Sequence, residues 1–375
     1  MQRENAAPRA GWREKVEALG FAYHTIGGET YWDESACYHF TADEVDILEA
    51  ATGELHERAL EAVDRVVAKR DFARFQIPEA FHEYVAASWR DREPSLYGRM
   101  DLSWDGSGEP KLLEYNADTP TALLEASVVQ WYWLQDVKPA ADQFNSIHEK
   151  LIARWTAMRP KLAADGRVHF CGDLESAEDS GNLDYLRDTA LQAGLDPVAI
   201  AIGDIGWDGR RFVDLEERNI GSLFKLYPWE WLVRETFGPN LLQGTLRLVE
   251  PPWKMLLSNK AILPVMWEMF PGHPNLLEAS FEPGKFTTDF VKKPLYSREG
   301  ANVSIDAGDT LIDVGGDYGE EGFIWQAYHA LPSFGGRYAV IGSWVVGDEP
   351  AGVGIREDAT PVTRDTSRFV PHYFD

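Results

Sequence analysis

The stretch GRMDLSWDGSGEPKLLEYNADTPT, Gly98 to Thr121, constrains this chain more than any other. Two arms, Arg99–Trp104 and Pro110–Asn116, flank a turn-rich DGSG segment, which is the signature of a β-hairpin. If Asp101 lies opposite Glu114, then Arg99 lies opposite Asn116. Residues two apart share a strand face, so these four project together. Met100, Leu102, Leu113 and Tyr115 then take the other face and pack on a core. Directly opposed side chains have Cβ atoms about 4.5–5.5 Å apart, and two carboxylates that close repel unless a cation sits between them. Two carboxylates, an amide oxygen and room for water form an oxygen-only set that suits Mg2+ with bound phosphate. Arg99 is placed to hold an anionic group beside it. The same residues also describe a solvated hairpin face with an ordinary ion pair, and Leu112 on the polar face fits that description better. Spacing alone leaves both open.

After the hairpin the chain continues ADTPTALLEA. Thr119 is a good N-cap and Pro120 a good first helical residue, so the sequence predicts a helix N-terminus a few residues from the carboxylates. Its free N–H groups would favour an anion there, although any well-capped helix would read the same way.

The 375 residues suffice for a large core and two or three subdomains. A net charge of −25 lacks the basic footprint of a general nucleic-acid binder. It is compatible with a cationic partner such as a polyamine, or simply with solubility. Cys37 and Cys171, far apart, form neither a disulfide framework nor a metal spacing. The first residues lack an apolar signal core and no apolar run approaches a membrane span. The expectation is therefore a cytoplasmic protein without a membrane partner.

Along the chain, T-x-x-E at Thr41–Glu44 is a capping box, and apolar residues from Val45 to Val67 recur at helical spacing to about Lys69. Helices are also predicted from Pro78 through Trp89, over roughly Ala140 to Leu162, over Leu183 to Leu195 and over Trp229 to Phe237. Another begins near Lys260 and is interrupted at Pro264. RVHFC at Arg167–Cys171 and Pro197–Ile202 read as strands joined by a helix, a parallel βαβ unit. Asp173 then lies where open α/β sheets place ligand groups, or else caps a turn. Thr287–Lys293 reads as a strand, followed by loops rich in Gly. Gln326, Tyr328, Tyr338, Val340 and Trp344 fall in strands of an antiparallel sheet.

No GxxxxGK[ST] phosphate loop, GxGxxG fingerprint, HExxH or GxSxG occurs. The carboxylate pair would also serve a glycosidase, but close pairing beside Arg99 suits a metal better. Lys292 and Lys293 are adjacent, so only one of them faces a given ligand, and a Lys at a strand end is commonly just solvated.

Several stretches then recur in a familiar order: RMD at Arg99–Asp101, LLEYNADTPT at Leu112–Thr121, VHFCGD at Val168–Asp173, LYPWEW at Leu226–Trp231, NKAILPVMW at Asn259–Trp267, VKKPLYSREGANV at Val291–Val303, WQAYHALPSFGGRY at Trp325–Tyr338 and AGVGIRED at Ala351–Asp358. On these the sequence resembles the glutathionylspermidine synthetase family of ATP-grasp carbon–nitrogen ligases. It looks closest to a stand-alone acid–amine ligase branch that lacks the amidase domain of the bifunctional enzymes. The resemblance implies an α/β (α+β) ATP-grasp fold with mixed sheets and a pre-ATP-grasp α/β subdomain. The whole chain, 1–375, would be one catalytic unit. Its approximate subdomains would be 1–165 with the N-terminal helices and hairpin, 166–250 resembling the pre-ATP-grasp unit, and 251–375 holding nucleotide and lid.

Carried over residue by residue, the resemblance implies that Asp101, Glu114 and Asn116 hold Mg2+. Arg99 would steady the reacting carboxylate and phosphoryl group, with Arg356 as a second active-site arginine. Lys260 and Lys293 would contact nucleotide phosphates, with Lys293 preferred over Lys292. Gln326 and Tyr328 would line the adenine pocket, and Gly300 and Asn302 would sit in a mobile lid. Thr119, Thr121 and Arg298 would face the acid or peptide substrate, and Glu230 would lie near the amine end, where LYPWEW departs from the bifunctional enzymes and leaves spermidine itself in question. The implied reaction uses ATP and Mg2+ to join a small-molecule acid to an amine through an acyl phosphate. The partners are those small molecules, with no nucleic acid, and a homodimer is allowed for. The rival readings are a nucleotide-dependent binding protein of the same fold without turnover, and a scaffold protein supported only by the acidic surface.

Overall fold

The computed structural model describes residues 1–308 and 310–375. Its centre is a six-stranded antiparallel sheet in the order Arg368–Val370, Glu349–Asp358, Arg337–Val346, Tyr97–Ser103, Lys111–Asn116, with Ser333–Phe334 pairing on Arg337–Val346. The predicted hairpin is thus two neighbouring strands of this sheet, and a strand from late in the chain closes its other side. The helix Ala42–Lys69 packs on this sheet and on the helix Ile262–Met269. It opens on the expected capping box: the Thr41 hydroxyl accepts from Glu44 N at 3.2 Å, and Glu44 accepts from Thr41 N at 2.9 Å. Its buried stripe, from Val45 through Leu48, Leu55, Val63 and Val67, is the predicted apolar periodicity.

The βαβ unit is present and parallel. Arg167–Gly172 pairs with Asp196–Ala201, and Ser222–Lys225 and Arg247–Val249 complete a four-stranded parallel sheet. The intervening helix runs Ala177–Gln192, beginning earlier than predicted because Ser176 caps it through Asp179 N. Asp173 accepts from Glu175 N at 3.0 Å, so it closes the turn before that helix. This sheet joins the central one through stacked aromatics: Tyr97 lies 6.2 Å from Phe224 and 6.1 Å from Trp344 between ring centroids.

A third, five-stranded antiparallel sheet has the order Ala279–Ser280, Phe323–Ala327, Phe290–Pro294, Ser304–Ala307, Thr310–Asp313. The antiparallel sheet expected to contain Gln326 together with Val340 and Trp344 is therefore two sheets, and Tyr328 lies just past its strand. Other expectations need correction. The helix predicted over 140–162 spans only Ile147–Met158 before a short 3-10 turn, because 138–146 run along the Phe374 and Gly352 edges. The helix predicted over 229–237 is a single turn, Trp229–Leu232. Pro264 does not interrupt its helix. It sits in the first turn of Ile262–Met269, where its missing N–H is no loss.

Candidate active site

The hairpin register is the one the carboxylates require: Arg99 opposes Asn116 and Asp101 opposes Glu114. Beyond that pair the register shifts, and Leu102 opposes Leu112. Leu113 is thus the extra residue of a β-bulge. The expectation that Leu113 packs on the core while Leu112 spoils the polar face is reversed: Leu112 is fully buried, and Leu113 lines a cleft. The bulge also turns two carbonyls toward the neighbouring sheet. Lys293 Nζ donates to Leu113 O at 2.8 Å and to Gln326 Oε1 at 2.8 Å, and Gln326 Nε2 donates to Leu112 O at 3.1 Å. One irregular residue therefore ties the carboxylate strand to the lysine strand.

The cleft runs between the central and the five-stranded sheets. Its floor carries nearly all the charge. Arg99 grips Asp101 with both prongs, Nε to Oδ1 at 2.6 Å and Nη2 to Oδ2 at 3.1 Å, while Nη1 donates to Thr121 O at 2.8 Å. Arg356 Nη2 lies 3.9 Å from Asp101 Oδ2. Lys260 Nζ lies 3.2 Å from Glu114 Oε2 and donates to Ser297 O at 2.6 Å. Asn116 Nδ2 donates to Glu114 Oε1 at 3.1 Å. Burial alone would push the Glu114 carboxyl up, but the charges of Lys260 and Lys293 and the Asn116 hydrogen bond hold it down at about 2. Burial, together with Lys260 nearby, pushes Lys293 down to about 8 against the pull of Glu114 and Asp101. Lys292 turns away, with its ammonium 3.9 Å from the centroid of the Phe323 ring.

These groups fit a divalent cation shared with phosphate. The two carboxylates are oxygen donors on one face, at present neutralised by Arg99 and Lys260. A half-turn of the Asn116 amide would present its oxygen to the same point. Among the described residues no cluster of three or more His, Cys, Asp or Glu surrounds a common centre, so a Mg2+ ion here would complete its oxygen shell from water and phosphate.

The segment that follows the hairpin differs from the prediction in its backbone. Thr119 does not cap a helix. The chain bends at Asp118 and Thr119, takes a left-handed turn at Ala122 (φ 66°), and is helical from Leu123, passing through a π-helical turn at Glu125–Val129 into the helix Gln130–Val137. Arg99 Nη1 takes the Thr121 carbonyl just ahead of that helical start. The Thr119 hydroxyl instead accepts from Arg298 Nη1 at 2.7 Å, and Arg298 Nη2 binds Glu230 Oε1 at 2.9 Å. Thr119, Arg298 and Glu230 are thus brought together. Asp118 braces them from behind, taking Trp229 N at 2.9 Å and pairing with buried Lys225.

Of the two residues the resemblance assigns to a lid, Gly300 lines the cleft with φ 73°, and a Cβ there would meet Val362 at 2.5 Å. Asn302 does not line it. Its Oδ1 accepts from Tyr318 N at 2.8 Å, so it pins the second Gly-rich loop instead. Gln326 lies beneath Lys293 rather than on the cleft surface, whereas Tyr328 is on the wall. The sequence reading missed the apolar wall made by Val291, Ile305, Leu331, Val340 and Val362. Val291 was within reach of it, since it stands two residues before Lys293 on one strand face. Val362 was not, because it sits in a loop with no periodicity.

Comparison with known proteins agrees with this architecture. A protein of Haemophilus influenzae that carries the provisional name acid–amine ligase is 42% identical over 376 residues, covering 95% of each chain. Trypanothione synthetase of Crithidia fasciculata is 29% identical over 84% of this chain and 53% of its own length. The bifunctional glutathionylspermidine synthetase/amidase of Escherichia coli is 27% identical over 96% of this chain and 63% of its own. The chain thus spans only part of these two longer relatives. A glutathione synthetase-like effector from Globodera pallida shares the fold, with a TM-score of 0.59 at 9% identity over 97% of this chain and 96% of that one. The model of the glutathionylspermidine synthase pre-ATP-grasp family matches residues 3–375, and the chain belongs to that family, with the mixed-sheet α/β fold expected of it.

Proposed function

We propose that this protein is an ATP- and Mg2+-dependent carbon–nitrogen ligase. It joins a peptide-like or glutathione-like carboxylate to a polyamine-like amine through an acyl phosphate, releasing ADP and phosphate. The observation that carries this reading is the convergence of Asp101, Glu114 and Asn116 with Lys260, Lys293, Arg99 and Arg356 in one cleft.

A carboxylate resists amine attack because its leaving group would be oxide. Bound ATP with Mg2+ would supply the phosphoryl group that turns that oxygen into a good leaving group. The chain's own work is positioning and charge neutralisation. Lys260 and Lys293 flank Glu114 from two elements, which suits a polyphosphate threaded between the sheets. The apolar wall with Tyr328 suits a nucleotide base. Arg99 and Arg356 both face Asp101, so either guanidinium can hold the incoming carboxylate once a cation relieves Asp101. When the amine attacks, a C–N bond forms, the C–O bond to phosphate breaks, and the nitrogen gives up a proton. Gly300 and its neighbours, packed against Val362 and Thr363, would keep water from the acyl phosphate.

For the amine, the support is electrostatic. Burial, with Asp365 and Glu178 nearby, holds the Glu299 carboxyl on the cleft wall above its ordinary range. Burial and Glu178 raise Asp179 to about 6. A cationic amine beside Glu299 would offset the part of its shift that comes from Asp365 and Glu178. Glu230 reaches this side only through Arg298. Among the described residues no helix is long and apolar enough to cross a membrane. The buried free thiols Cys37 and Cys171 support a reducing compartment, the cytoplasm. The test is ADP release across a panel of peptides and amines. Release that requires both partners supports the ligase. ATP bound without consumption would favour a binding protein of the same fold.

A further inference from the structure

A groove away from the cleft, sharing no lining residue with it, runs between the helices Gln130–Val137, Ile147–Met158 and Ala177–Gln192. Leu19 of the N-terminal arm closes one side, and Leu124 and Val128 add apolar surface. Trp131 and Tyr132 line the same groove and are left 38% and 51% exposed. Two adjacent open aromatics beside aliphatic side chains form a patch of the kind that binding covers, unlike a lone surface apolar residue.

The charge around this patch has one sign. Glu149, Asp184 and Asp188 line the groove, and among the described residues no Lys or Arg joins them. Arg187, outside the lining, meets Asp184 at 2.8 Å, and the Gln192 amide donates to Asp188 at 2.7 Å. Lys150, next to Glu149, pairs with Glu349 instead. One guanidinium thus faces three carboxylates, and the rim stays negative. Burial raises the Tyr185 hydroxyl above its ordinary value against a hydrogen bond from Ser127, and the charges of Glu149 and Asp188 raise it further. Carboxylates from two helices therefore converge on one aromatic wall.

We propose that this groove binds a linear aliphatic polyammonium ion, at a site separate from the cleft. Asp184 and Asp188 are four residues apart on one helix, so their Cβ atoms lie about 5–6 Å apart, close to the separation of two ammonium groups joined by three or four methylenes. Those methylenes would cover Leu19, Leu124 and Val128, and the rings of Trp131 and Tyr132 would take an ammonium against a face. An extended peptide fits less well. The three walls are helices whose main-chain groups are already paired, so a peptide backbone would find no partners there, whereas a polyammonium has no such groups to satisfy. A second copy of this chain, with its net charge of −25, would add repulsion.

The experiment is calorimetric titration of the whole protein at about 0.15 M ionic strength. ATP and acid are left out, so the outcome is independent of the ligase reading. Spermidine is the probe. Hexaamminecobalt(III) is its control, equally trivalent but compact and without methylenes, and tetralysine stands for a protein segment. We expect spermidine to bind about threefold or more tighter than hexaamminecobalt(III). Asp184→Asn combined with Asp188→Asn should weaken spermidine about fivefold, the scale of two exposed ion pairs. Trp131→Leu should weaken it about threefold, the scale of one exposed cation–π contact. Any amine held in the cleft is common to parent and variants, so the difference between them reports the groove. Asn keeps an acceptor oxygen for Arg187 and for Gln192, and Leu keeps an apolar side chain at an open position, so melting curves should stay close to the parent's. No spermidine binding, affinity unchanged in either variant, or hexaamminecobalt(III) bound as tightly as spermidine would each overturn the proposal. Tetralysine bound tighter than spermidine, with the loss in the same variants, would overturn it in favour of a basic protein segment.

Discussion

Glu114 and Lys293 face each other with opposite demands, and each gives a residue-scale test. Glu114 is held by the Lys260 ion pair and the Asn116 amide, and Lys260 keeps the Ser297 carbonyl without it. Glu114→Ala should therefore stay folded and lose Mg-dependent turnover by on the order of a hundredfold to a thousandfold. Full ATP consumption by the variant would remove Glu114 from the metal site. Lys293→Ala should weaken ATP binding by about tenfold or more in calorimetric titration, some ~1.4 kcal/mol. Lys292→Ala should leave it near the parent value, because that ammonium lies on Phe323. Equal losses would mean that both lysines meet the phosphates. Acid stability follows Glu114 as well. Its folded pKa, about 2, is below its ordinary 4.5, so the unfolded chain takes up the proton first. The contribution is complete above about 4.5 and is lost as pH falls toward about 2. Urea unfolding of Glu114→Gln should show a shallower loss of stability across that window than the parent. An identical slope would mean that the carboxylate is not held down in the folded state.

At the scale of elements, the strand Arg337–Val346 sets the position of Arg99. Gly342 opposes Asp101, and a Cβ on it would lie 2.8 Å from Arg99 Cδ. Arg99 cannot swing aside cheaply, since Asp101 and Thr121 hold its far end. Gly342→Ala should thus lower acid-dependent turnover roughly a hundredfold through misplacement while ATP binding persists. Unchanged turnover would show that Arg99 has room the packing does not suggest. The hairpin itself was legible because its turn, its alternation and its opposed charges agree with one another. The bulge at Leu113 was not, because a register shift is decided by the partner across the gap: Lys293 and Gln326 claim the two carbonyls. The cap expected at Thr119 failed for a related reason. Thr-Pro carries a real local preference for starting a helix, but Arg298 takes the Thr119 hydroxyl and Arg99 the Thr121 carbonyl. Local propensity lost to two arginines from outside the segment.

Across the whole molecule, the cleft is made by pairings that no local pattern encodes. Tyr97–Ser103 joins Arg337–Val346, and the Lys293 strand approaches the hairpin from a separate sheet. The charged floor could be read ahead because its residues sit in recognisable stretches. The apolar wall could not, since Val340 and Val362 become neighbours of Val291 only after the sheets assemble. The central claim is that this assembly activates a carboxylate by transferring the γ-phosphoryl group, with metal and lysines around the polyphosphate and Arg99 beside the acid. The most direct measurement replaces the amine with hydroxylamine in the presence of acid, ATP and Mg2+, and separates the quenched products by chromatography. The account predicts a hydroxamate with stoichiometric ADP and phosphate, and loss of the hydroxamate in Arg99→Ala with ATP binding retained. AMP and pyrophosphate as the acid-dependent products would contradict it.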